Sequence, residues 1–158
     1  MEKRTVMTED ELRDLLNIAF EYSAVHEDWV NPVDQALEGV DVELALRRSD
    51  PEAKCIWEII LHMAVWNENI VERVATGEKA RPPEGHWPAL PSGQSPAQWE
   101  SAKTRLYKSL DMLKDLINNE SVEKIKASPW GFCDLICRPI HIAYHLGQIT
   151  KMKEIYTA

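Results

Sequence analysis

Three segments of this chain open on a helix-capping signature and continue with apolar residues three and four apart, which commits the fold to packed helices. Thr8-Glu9-Asp10-Glu11 is a capping box, in which hydroxyl and carboxylate each satisfy an orphan backbone N–H. Leu12, Leu15, Leu16, Ala19 and Ser23 then follow at helical spacing. Asp50-Pro51-Glu52 reads as an N-cap followed by proline at the first helical position, where a missing N–H does no harm. The second helix is predicted to run from there to about Ala75. Its apolar face is Ile56, Ile59, Met63, Trp66, Ile70 and Val74, and Gly77 is its C-terminal cap. Ser95-Pro96-Ala97-Gln98 is a further capping box, introducing Trp99, Ala102, Leu106, Leu110, Leu113 and Ile117. A last helix carries His141, His145, Gln148, Met152 and Ile155 on one stripe.

The connections are as informative as the helices. Spacing breaks down around Asn31-Pro32 and Gly39, which predicts a long loop between helices one and two with room for a short helix or two. Pro82, Pro83, Pro88 and Pro91 exclude regular helix between helices two and three and predict a crossover on the bundle surface. Helices joined by such a crossover need not be antiparallel neighbours. A short turn near Ser121 to Lys126 precedes the last helix. Pro139 removes one of that helix's hydrogen bonds, yet Phe132, Leu135 and Ile136 are too apolar for a solvated loop. The last helix is therefore read as starting around Gly131 and kinking at Pro139. At 158 residues the chain is read as one all-α domain, residues 1–158.

Charge and composition narrow the function classes. A formal charge of -8 argues against nucleic acid and anionic membranes as partners, because both need clustered Lys and Arg. Met1 to Asp10 carries no apolar signal region, and no stretch approaches about 18 uninterrupted apolar residues, so neither secretion nor membrane spanning is expected. Cys55, Cys133 and Cys137 are an odd count without CxxC spacing, which fits a reducing cytoplasm and inert, buried thiols.

The chemistry centres on histidine. His141 and His145, four apart, project from adjacent turns of one helix face, a spacing that chelates one metal ion. A pair alone is a weak signal, more often a core histidine bonded to a carbonyl than a site, and the third histidine changes the balance. His62, inside the second helix beside its buried face, is placed as a third ligand from another helix would be. Three imidazoles suit zinc first, with nickel, iron or copper also accommodated, and leave a position open for water or substrate. The competing reading is a degenerate site of polar core residues without metal. Gln148 would orient a ligand or simply bond a neighbouring helix. Trp29, Trp66 and Tyr144 would wall a pocket or serve as plain core, and Glu58 is the nearest candidate base. His26 and His86 are read as structural.

His141-Ile-Ala-Tyr-His145-Leu-Gly-Gln148-Ile resembles the C-terminal signature of the DinB superfamily of small metal-binding bundles. Ile56-Trp-Glu-Ile-Ile-Leu-His62-Met-Ala-Val-Trp66 is similar to that family's second-helix ligand segment, and Ser95 to Trp99 to its third-helix entry. The resemblance implies an up-down-down-up four-helix bundle with one divalent metal on His62, His141 and His145. It further implies a thiol-dependent transferase or isomerase acting on a low-molecular-weight thiol and an electrophile. Ile142 stands where an acidic residue is common, so an acceptor behind the imidazoles is expected to be missing. The leading expectation is a thiol-dependent S-transferase. The alternatives are a hydrolase, in which the metal ionises water, and a non-catalytic metal-binding or small-molecule-binding stress protein. A homodimer is the expected assembly.

Overall fold

A computed structural model describes residues 7–158, so the reading of Met1 to Val6 lies outside the described residues. Those residues form seven helices and no strand: α1 Glu9–Ala24, α2 Val33–Leu37, α3 Val42–Leu46, α4 Ile56–Thr76, α5 Pro96–Asn119, α6 Val122–Ala127 and α7 Phe132–Thr157. Four are long. None among the described residues is long and apolar enough to cross a membrane.

Local sequence chemistry sets the ends. The Thr8 hydroxyl accepts the Glu11 N–H at 3.2 Å while the Glu11 carboxylate accepts the Thr8 N–H at 2.7 Å, and Ser95 and Gln98 repeat the exchange at α5. Gly77 ends α4 at φ 73°, the left-handed cap that glycine adopts without a Cβ penalty. Pro139 sits inside α7, as read from the sequence.

One helix starts later than its sequence signature predicts. Asp50 accepts the N–H groups of Glu52 and Ala53, at 2.9 and 3.0 Å, and so closes an isolated turn. α4 begins only at Ile56, where the Glu58 carboxylate satisfies the Cys55 N–H at 3.1 Å. The long connection holds α2 and α3, the latter capped by Asp41.

Side-chain bridges fix the helix directions. Arg13 bonds the Ile117 carbonyl and Lys114 pairs with Glu21, so α1 and α5 are antiparallel. Trp57 packs on Trp99 with ring centroids 5.3 Å apart and Glu68 pairs with Arg105, so α4 and α5 run parallel. His62 meets His141 and Arg73 pairs with Asp134, so α4 and α7 are antiparallel. Hence α1 and α7 point one way, and α4 and α5 the other. Two parallel neighbours need a connection as long as the helices themselves, and residues 77–95 supply it.

The core lies where these four helices meet. Phe20, Trp57, Met63, Trp99, Leu106, Leu113, Ile142 and Leu146 are fully buried, each contributing about 2 kcal/mol by leaving water. Trp99 keeps its indole N–H satisfied on the Val40 carbonyl at 2.9 Å. The α1 stripe is rotated from the predicted one: Leu16, Phe20 and Ser23 are buried, whereas Leu15 and Ala19 face solvent. On α7 the core face is Leu135, Arg138, Ile142, His145 and Ile149. His141, Gln148 and Met152 lie at its edge, and Ile155 is exposed.

Candidate metal centre

His62 occupies the second turn of α4, and α7 presents His141 and His145 to it from successive turns. The Nε2 atoms of His62 and His141 are 2.9 Å apart, and those of His145 and His141 are 3.0 Å apart. All three ligand atoms lie within 4.8 Å of one another.

Hydrogen bonds behind the rings orient two of them. Nδ1–H of His62 donates to the His86 carbonyl at 2.7 Å. Nδ1–H of His145 donates to Gln148 Oε1 at 2.7 Å, and Gln148 Nε2 donates to the Tyr144 hydroxyl at 2.9 Å, which fixes the amide orientation. Both imidazoles therefore aim an Nε2 lone pair at the same point. His141 Nε2 carries at most one proton, which cannot be donated well to two acceptors at once. A shared cation satisfies all three. Ligands about 2.0 to 2.1 Å from tetrahedral zinc sit about 3.4 Å apart, a few tenths of an ångström beyond the two close contacts. The residues present fit a divalent ion.

The electrostatics agree. Burial, opposed by the His86 carbonyl, pushes the His62 imidazole down to about 4, and burial likewise lowers His145 against the pull of Gln148. Both are neutral near pH 7, the form that ligates metal. His141 differs, because its Nδ1 is buried without a partner. Its neighbour in sequence, Ile142, offers no acceptor.

A cleft of about 580 Å³ opens over the three rings, lined by Lys54, Ile59, His86, Trp87, Tyr144 and Met152 among others. Trp87 stacks on His62 with centroids 4.0 Å apart and planes 17° apart, and Lys54 Nζ lies 5.3 Å from the Trp87 ring. Below the rings, Arg138 is 5% exposed, with Nε and Nη2 unpartnered. Asn69 is buried with neither amide atom bonded. Each stands four residues inward from the Arg73–Asp134 pair, and so at one level of the α4–α7 seam.

The predicted residues divide clearly. His62, His141 and His145 come together, and Gln148 and Tyr144 stand behind and beside them. Trp66 does not line the cleft. Its indole N–H donates to His86 Nδ1 at 3.1 Å, steadying the crossover that carries the His86 carbonyl. Glu58 lies outside the cleft, paired with Arg48 at 2.6 Å and Lys54 at 3.1 Å. Burial raises its carboxyl, but the Cys55 N–H and these cations outweigh that and hold it at about 2. Trp29 is 86% exposed and walls nothing here, and His26 is an exposed partner of Glu21. Cys55 is buried as expected, whereas Cys133 and Cys137 are exposed, because they fall on the side of α7 opposite Leu135 and Arg138.

Sequence reasoning missed His86, Trp87 and Arg138. His86 acts through its main chain, which no side-chain pattern reveals, and Trp87 sits in a segment read only as a proline-rich crossover. Arg138 was detectable as a charge three residues before His141 on the same face.

No protein-family model matches this chain, and no curated protein and no solved structure matches it either.

Proposed function

We propose that this chain is a metal-dependent enzyme of DinB type that activates a small thiol for transfer to an electrophile. Zinc, or another divalent ion such as nickel or iron, would be held on His62, His141 and His145. The observation that carries the reading is the convergence of three Nε2 atoms, two with tautomers set by bonds behind them, at the floor of an open cleft. The sequence signature and the helix order, one up, two down and one up, support the family assignment.

A bound divalent cation supplies Lewis acidity, which keeps a thiol ionised near neutral pH. The residues around it do the rest. Trp87, Ile59 and Met152 make one side of the cleft apolar, so a ligand that enters displaces water. Arg138, buried and without a hydrogen-bonded counter-ion, adds positive charge beneath the rings and favours an anionic ligand over a neutral one. Lys54 at the rim favours the same sign. Gln148 holds the His145 ring in its ligating orientation.

The hydrolytic alternative needs a base for water, and Glu58 is tied up at the N-terminus of α4 away from the cleft. A non-catalytic binder would show a closed coordination sphere. Cobalt-loaded protein with Cys133 and Cys137 both changed to Ser separates these readings. We expect its visible bands to shift and a sulfur-to-cobalt absorption to grow on adding glutathione or cysteine. Cobalt uptake with a spectrum indifferent to thiol would favour the binder.

A further inference from the structure

Cys133 and Cys137 stand four residues apart on the first two turns of α7, both exposed, with Sγ atoms 3.8 Å apart. They belong to no part of the imidazole centre and pack into no core. Asp134, the carboxylate between them, is held by Arg73 at 3.2 Å. The sulfur pair is therefore free on the helix surface.

The spacing discriminates between uses of such a pair. Two thiolates about 2.3 Å from a tetrahedral zinc ion lie about 3.8 Å apart, the separation observed, and a larger soft ion such as cadmium needs only a few tenths of an ångström more. A disulfide needs its sulfurs at about 2.05 Å and its Cβ atoms at about 3.8 Å. Residues four apart on a regular helix have Cβ atoms about 6 Å apart, so the bond would distort the turn. Soft thiolate ligands select thiophilic ions.

We propose that Cys133 and Cys137 form a second, sulfur-only site that chelates one soft divalent cation, of which Cd²⁺ is the probe, independently of the three histidines. Each thiol gives its proton to solvent as its sulfur bonds the ion. Two S–H bonds are exchanged for two S–metal bonds, and nothing is oxidised or reduced. Water completes the coordination on this open face.

Cd²⁺ titration of the full chain, followed by sulfur-to-cadmium absorption in the near ultraviolet, tests this. One ion per chain should develop the band. Cys133→Ser or Cys137→Ser should each weaken it about 100-fold, as expected when a chelate loses one arm. Cys55→Ser and His62→Ala should leave it intact. Both serine changes lie on the surface, and circular dichroism confirms that the variants fold. A band that survives loss of either cysteine overturns the proposal. So does a wild-type chain that shows no band although iodoacetamide alkylates both thiols readily.

Discussion

Gln148→Leu isolates the support behind one ligand without touching the ligand itself. The His145 Nδ1–H bond to Gln148 Oε1 is 2.7 Å long, and His145 is 4% exposed. Leucine keeps the bulk and removes the acceptor, leaving a buried N–H unpaired at a cost of about 1 to 3 kcal/mol. Removing an outer partner of a ligating histidine weakens metal binding about 10- to 100-fold, and each factor of ten is about 1.4 kcal/mol. The two ranges overlap at about 2 kcal/mol, or about 30-fold. Tyr144→Phe is the graded comparison. Tyr144 is 61% exposed, so water replaces its hydroxyl beside Gln148 Nε2, and the loss should be about threefold or less. Competition for Zn²⁺ against a chromophoric chelator at neutral pH reads both. A Gln148→Leu affinity within about twofold of wild type would refute the tautomer argument, and so would equal losses in the two variants.

Acid should unfold the metal-free chain in two stages. His62 is held at about 4 against an ordinary 6.5, so its contribution is complete above 6.5 and fades as pH falls toward 4, by on the order of 3 kcal/mol. Glu58, held at about 2 against 4.5, loses its contribution from 4.5 downward, so urea midpoints that stay flat from neutrality to about pH 4 would contradict the His62 assignment, and midpoints flat from there to about pH 2 would contradict the Glu58 one. Leu106→Ala, at a fully buried site on α5, should destabilise by about 3 kcal/mol in urea unfolding, and a loss under about 1 kcal/mol would mean the core collapses around the gap. Gly77→Ala places a Cβ at φ 73° and should lower stability by about 1 to 2 kcal/mol with metal binding unchanged.

Much of the architecture was written in short-range chemistry. Thr8, Ser95 and Gly77 mark helix ends because each satisfies orphan backbone groups within one turn. The α5 stripe from Trp99 to Ile117 is buried at every position read from its periodicity. Asp50 misled because an Asx turn and an N-cap share the same first hydrogen bonds, and only tertiary packing decides whether helix follows. The three imidazoles were legible because His141 and His145 share a face and His62 borders another. The parts that finish the site were not. The His86 carbonyl and the Trp87 ring arrive from a proline-rich crossover whose path no periodicity encodes. The exposure of Cys133 and Cys137 depends on which way α7 turns after Gly131, and cysteine's usual preference for burial pointed the other way.

The most direct test is the number of divalent ions per chain in protein made without an affinity tag, with Cys133 and Cys137 both changed to Ser to remove sulfur ligands. The chain with its histidines intact should retain one zinc, nickel or iron after dialysis. His62→Ala, His141→Ala and His145→Ala should each fall close to none while remaining helical. Full retention of metal in any one of the three, or folded protein that takes up no ion even when supplied with excess, would contradict the shared three-imidazole centre.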